Sequence, residues 1–127
     1  MTLIEQQIKE LVTQFPEALV TRQPSGAYLV EVPNYKMPPG WNRESVTILF
    51  LAPPGYPAAQ PDCFWIEPGA VRLKNGDTPK NTNDTNPIPG VGTRGTWFSW
   101  HLQSWNPNRD SLVRYLHVIE QRLHPPR

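Results

Sequence analysis

The placement of proline constrains this chain more than any other feature of its sequence. Sixteen of its 127 residues are Pro, more than twice the usual share of about 5%. Proline fixes φ and removes a backbone donor, so it is excluded from helix interiors and central strands. Here the prolines stand between apolar runs: Pro16, Pro24 and Pro33, then Pro38 and Pro39, then Pro53, Pro54, Pro57 and Pro61, and at the end Pro125 and Pro126. The runs between them are therefore short elements. The prolines read as rigid corners of a folded domain rather than as a disordered tract. No internal repeat and no low-complexity tail interrupts this pattern.

The bulk properties exclude several classes. A chain of 127 residues reads as a single domain, 1–127, long enough to bury a core without staples. Twelve Lys and Arg against eleven Asp and Glu leave a formal charge of +1. They form no dense run, so no long-range field draws the chain to nucleic acid or an anionic membrane. One cysteine rules out an internal disulfide framework and a multi-Cys zinc site. Three widely spaced His without clustered acids do not suggest a metal site. No apolar run approaches the roughly 18 residues of a membrane span. The amphipathic start, M-T-L-I-E-Q-Q-I-K-E, does not read as a secretory signal. A cytoplasmic location is the expectation.

The pattern predicts an α+β chain. Thr2 and Glu5 fit a capping box. Leu3, Ile4, Ile8, Leu11, Val12 and Phe15 follow at helical spacing. The expected helix spans residues 3–14 and stops before Pro16. Strands are expected over 18–23 and 27–32, joined as a hairpin through Pro24-Ser25-Gly26, with Pro33-Asn34-Tyr35 leaving the sheet. Ser45–Leu51, β-branched and almost wholly apolar, reads as the central strand. A fourth strand is expected over 62–66, completing an antiparallel meander. Residues 67–95, rich in Gly, Pro, Asn, Asp and Thr, read as a long irregular segment of the kind that is more often functional than idle. Leu112, Leu116, Ile119 and Leu123 mark a last helix, about 108–123, capped by Asn106 or Asp110 and stopped by Pro125-Pro126.

These elements and the residues within them resemble the ubiquitin-conjugating enzyme superfamily. The run V-T-I-L-F-L, the corner P-P-G-Y-P-A-A-Q-P and the run C-F-W-I are similar to that superfamily's strand, Tyr-Pro-x-x-x-Pro corner and strand. Trp105-Asn106-Pro107 before a helix is similar to its Trp-x-Pro segment. More narrowly, V-P-N-Y with P-P-G-W, F-W-I-E-P, and W-F-S-W-H with W-N-P-N-R-D-S-L resemble the bacterial branch called prokaryotic family E. The resemblance covers about residues 15–123. It implies a carrier that accepts a ubiquitin-like modifier from an adenylating activating enzyme and passes it to an acceptor. A deconjugating peptidase is implied in the same pathway. No cofactor is implied at this step, because ATP is spent upstream. The active side would run through about 67–106. Tyr56 and its prolines, with Tyr35 and Trp41, read as scaffold, because nothing in the corner can do chemistry.

The chain departs from the superfamily at the decisive position. An ordinary member carries its acceptor cysteine about eight residues before the Trp of the Trp-x-Pro segment. Counting back from Trp105 reaches Trp97, and the usual His-Pro-Asn triplet is absent. Three readings follow. In the first, Ser99 is the nucleophile and His101, two residues on, its base. A serine hydroxyl needs a base, and histidine's ordinary pKa of about 6.5 suits the task. The product would be an oxyester. Asp110 or Asp84 would orient the imidazole, and backbone amides in 94–100 would stabilise the oxyanion. In the second, Cys63 is the nucleophile, although a free cysteine in a strand is usually a small buried hydrophobe. In the third, the chain is a non-catalytic binder of a ubiquitin-like protein or an activating enzyme. Ser99 is then a turn residue and His101 a packed polar group. Trp97 and Trp100 would wall the site. Arg94 could pair with a carboxylate, and Gly95 could admit a chain terminus; both also read as ordinary loop residues. His117 and His124 carry little case for catalysis.

Overall fold

A computed structural model describes all 127 residues. Helix α1 (Leu3–Gln14) begins at Thr2, whose side chain accepts from the Glu5 amide while Glu5 reaches back to the Thr2 amide. The capping box therefore fixes the start, and the stop falls just before Pro16. Strands β1 (Leu19–Arg22), β2 (Tyr28–Lys36), β3 (Ser45–Ala52) and β4 (Phe64–Glu67) form the antiparallel meander. Two further strands extend it: β5 (Thr82–Asn83) and β6 (Thr96–Phe98) give one six-stranded sheet ordered β1-β2-β3-β4-β6-β5. Helix α2 (Leu112–Leu123) closes the chain.

Alternation along the strands sorts side chains onto two faces. One face carries Val30, Val32, Ile48, Phe50, Phe64, Ile66 and Phe98. It packs on α1 through Leu11 and on α2 through Leu112, Tyr115, Leu116 and Ile119. Phe64 and Phe98 stack at 4.7 Å, and Phe50 meets Tyr115 at 5.0 Å. The other face carries Leu29, Leu49 and Trp65 and is covered by Ile88, which is 1% exposed. The segment 84–93 is thus a strap across the sheet. Gln23 holds it at the Pro89 carbonyl (2.9 Å) and the Trp65 indole at the Asn86 carbonyl (3.1 Å).

The proline corner is scaffold in contact as well as composition. Tyr56 donates to Gln7 on α1 and packs against Trp105 at 5.8 Å, while the Trp105 indole donates to the Pro57 carbonyl at 2.7 Å. The corner and the segment before α2 are therefore one packed unit. Trp41 is 6% exposed and donates to the Leu123 carbonyl at 2.9 Å, which places it in the core.

Four expectations are corrected. The sheet has six strands, because β6, just beyond the irregular segment, pairs with β4, and β5, inside it, pairs with β6. Strand β2 runs on through Pro33-Asn34-Tyr35. The register shifts between Val32 and Tyr35, and Asn34 adopts φ 55°, so a bulge absorbs the proline instead of ending the strand. Strand β4 starts at Phe64, since Cys63 sits at φ 59° and cannot continue an extended ladder. Helix α2 starts at Leu112 with Ser111 as its cap, the Ser111 hydroxyl accepting from the Arg114 amide at 3.2 Å. Asn106 and Asp110 instead form a separate turn: Asp110 donates its amide to the Asn106 carbonyl at 2.7 Å, and its carboxylate accepts from the Asn106 amide at 2.7 Å.

Candidate active site

The candidate site is built where the end of β6 meets the residue pair that precedes β4. The Cys63 amide donates to the Trp100 carbonyl at 3.0 Å. From the other side, the Tyr115 hydroxyl on α2 donates to the Cys63 carbonyl at 2.8 Å. Two backbone anchors on one residue fix residues 62–63 beside 100–101. The consequence is a side-chain chain across 39 residues of sequence. Ser99 Oγ lies 3.3 Å from His101 Nε2, and His101 Nδ1 lies 2.6 Å from Asp62 Oδ1. A carboxylate can only accept, so Asp62 accepts the hydrogen bond from Nδ1–H and selects the tautomer whose Nε2 lone pair faces the Ser99 hydroxyl. That arrangement orients a base toward a nucleophile.

The triad is open to solvent on one side. His101 and Asp62 side chains are 63% and 55% exposed, while Ser99 is half-buried. Ser99, Trp100 and His101 line a cavity of about 590 Å³, together with Asn81, Arg114 and Gln121. Beneath it, the Arg122 guanidinium lies 5.2 Å from the Phe98 ring centre and 6.0 Å from that of Trp100. It donates to the carbonyls of Lys80 and Arg127 at 2.8 and 3.0 Å. Arg122 is 2% exposed and pairs with no Asp or Glu side chain. Burial, with a smaller push from Arg127, lowers its pKa to about 10.

The other candidates fall elsewhere. Arg94 pairs with Glu67 and Glu31, each at 2.6 Å, and so fastens the strap end across β2 and β4 instead of reaching the cavity. Gly95 is pressed against the β4 backbone. An added Cβ would stand 2.2 Å from the Ile66 carbonyl oxygen, so its close approach serves the sheet rather than a visiting terminus. Neither acid expected to orient His101 does so. Asp84 is held by Arg72 and by the Thr96 hydroxyl, and the Arg72 guanidinium keeps its carboxyl below the usual range. Asp110 lies in its own turn, 3.9 Å from Arg114. Trp100 lines the cavity, but Trp97 packs beside Leu29, Leu49 and Trp65 on the strap side. His117 and His124 are exposed and line a different cavity of about 700 Å³ with Tyr35 and Glu120.

Cys63 is 7% exposed, and burial pushes its thiol up, away from the thiolate. Its backbone positions the site more directly than its sulfur. Asp62, Cys63 and His101 do offer three ligand atoms within 4.8 Å of one another. The Asp62–His101 separation of 2.6 Å is a hydrogen bond, however. Ligands at about 2.0–2.2 Å on a tetrahedral zinc stand farther apart than that.

Asp62 is the member of this hydrogen-bonded chain that sequence reasoning misses. It lies between Pro61 and Cys63 in what reads as the run into a strand, and no short spacing links position 62 to 101. The break at Cys63 is what turns it aside.

The sequence model of prokaryotic E2 family E matches residues 14–125. No curated protein and no solved structure matches the chain. No helix is long and apolar enough to cross a membrane.

Proposed function

Because the chain belongs to prokaryotic E2 family E, we propose that it carries a ubiquitin-like modifier as an oxyester on Ser99 and passes it to an acceptor amine. Membership of the family supports a conjugating-enzyme-like role. The observation that carries the serine chemistry is the hydrogen-bonded chain Ser99–His101–Asp62, at 3.3 and 2.6 Å. In the first half-reaction Ser99 Oγ attacks the activated C-terminal carbonyl presented by an adenylating activating enzyme. The C–O bond to Ser99 forms, the bond to the leaving group breaks, and the Ser99 proton moves to His101 Nε2. Asp62 stabilises the imidazolium that results. The first leaving group departs with that proton, so in the second half-reaction, as an amine attacks the ester carbonyl, neutral His101 takes the amine's proton and delivers it to Ser99 Oγ as the C–O bond breaks. The exposure of His101 leaves room for two proteins to approach in turn. The same pathway would hold a deconjugating peptidase.

The test is incubation of the chain with modifier, activating enzyme and ATP. The expected adduct survives reductant, yields to base and hydroxylamine, and is lost in Ser99→Ala but kept in Cys63→Ala. An adduct that persists unchanged in Ser99→Ala overturns the proposal. A complex seen by titration with no adduct under any condition points to a binding module instead.

A further inference from the structure

We propose that the chain also has a hydrolytic activity, in which water takes the acyl group from Ser99. Resting on the reading of Ser99 as acyl carrier, this names water as a second acceptor for the same ester. A carrier keeps its acyl group where water is shut out of the site or finds no base there. Neither condition holds here. The His101 side chain is 63% exposed, and the cavity that it lines with Ser99 opens to solvent, so water reaches the imidazole without any segment moving.

The base for that water is already in place. His101 Nε2 lies 3.3 Å from Ser99 Oγ, and Asp62 fixes its tautomer from Nδ1 at 2.6 Å. Once Ser99 is acylated its hydroxyl proton is gone, and Nε2 is left to accept from a water beside the ester carbonyl. Deacylation by water is acylation run backwards with water in place of the first leaving group, so an imidazole placed for one step is placed for the other.

The cavity does little to favour an amine over water. An amine with the ordinary lysine pKa of about 10.4 is neutral in fewer than about one molecule in a thousand at pH 7. A carboxylate in the lining would draw the ammonium in and take up its proton. None of the lining residues is Asp or Glu. The one fixed charge among them is Arg114, which repels a cation and whose partner Asp110 lies 3.9 Å off. Asp62 is engaged with His101. The ester itself points the same way. Amines attack oxyesters far more slowly than thioesters, whereas water and hydroxide attack the two at similar rates. A serine in place of a cysteine therefore tilts the outcome toward hydrolysis. The substrates are acyl groups on a good leaving group: thioesters, acyl adenylates and activated esters. While charging continues, the ester is replenished, so the adduct and its hydrolysis coexist.

The test uses p-nitrophenyl acetate and the full chain with no partner protein. Ser99 Oγ attacks the acetyl carbonyl, the C–O bond to Ser99 forms, and p-nitrophenolate leaves with the electron pair, the Ser99 proton passing through His101 to solvent. His101 then takes a proton from water as its oxygen bonds to the carbonyl carbon. The bond to Ser99 breaks, Oγ receives that proton, and acetate leaves. Release of p-nitrophenolate is followed by absorbance, and the acetyl group on the chain by intact-mass spectrometry. Wild type is expected to release many equivalents per chain. His101→Gln is expected to lower that turnover about 10²-fold, and Ser99→Ala to reduce it to the rate without protein. Release that stops at about one equivalent, with a lasting acetyl group on Ser99, overturns the hydrolytic activity and leaves Ser99 as the carrier. Turnover that His101→Gln leaves within twofold of wild type also overturns it, because the water would then need no base. Release that Ser99→Ala leaves unchanged overturns the nucleophile and the hydrolytic activity together.

Discussion

At the scale of single residues, the site depends on one backbone anomaly. Cys63 adopts φ 59° and binds the Trp100 carbonyl through its amide, which turns Asp62 toward His101. Ser99 and His101 are legible in the sequence as a Ser-x-His pair. Asp62 is not, because its partner is 39 residues away and the bond that joins them belongs to the backbone of a neighbour. Position therefore decides between acids that sequence cannot rank. Asp84 and Asp110 are each occupied by arginine or by a local turn. Replacing Asp62 removes the group that fixes the tautomer and balances the imidazolium. Asp62→Asn is expected to slow formation of the Ser99 adduct about 10²-fold, the scale of a displaced general base, while Asp84→Asn and Asp110→Asn leave it within a few-fold. Single-turnover rates of the three variants check this.

At the scale of elements, the legible parts are those specified by local chemistry. The Thr2–Glu5 box gives α1 its start, and the apolar run of β3 gives the sheet its centre. The less legible parts are those in which long-range pairing overrides composition. Residues 67–95 carry no periodicity, yet they supply β5 and the strap, because Ile88 finds a site between Leu29, Leu49 and Trp65 that the sheet alone would leave wet. Covering that face is an apolar contribution, and the strap is fastened at Arg94 by Glu31 and Glu67. Truncating Ile88 leaves a cavity on a face that cannot collapse around it. Ile88→Ala is expected to cost about 2–4 kcal/mol, read by urea unfolding as a lower midpoint with an unchanged slope. A cost below ~0.5 kcal/mol would mean that the strap contributes no packing.

At the scale of the whole molecule, the arrangement separates scaffold from chemistry. The proline corner, Trp105 and α1 form one packed unit, and Trp41 ties the end of α2 into the core. The end of β6, the 62–63 turn and the Asn81 segment meet beside α2 around one cavity. Family membership accounts for the scaffold. Ser99, hydrogen-bonded to His101 and through it to Asp62, stands two residues from the position counted for the cysteine, and the proposed function gives it the cysteine's task. Residues 96–107 therefore divide into a sheet strand, the turn that brings Ser99 to His101, and an anchor for the last helix. The most direct measurement of the central claim is peptide mapping of the charged chain. After reaction with modifier, activating enzyme and ATP, the adduct is digested at mildly acidic pH, which preserves an ester, and sequenced by mass spectrometry. The modifier's C-terminal residues are expected on Ser99; finding them on Cys63 or on a lysine, with Ser99 unmodified, would contradict carriage by the serine.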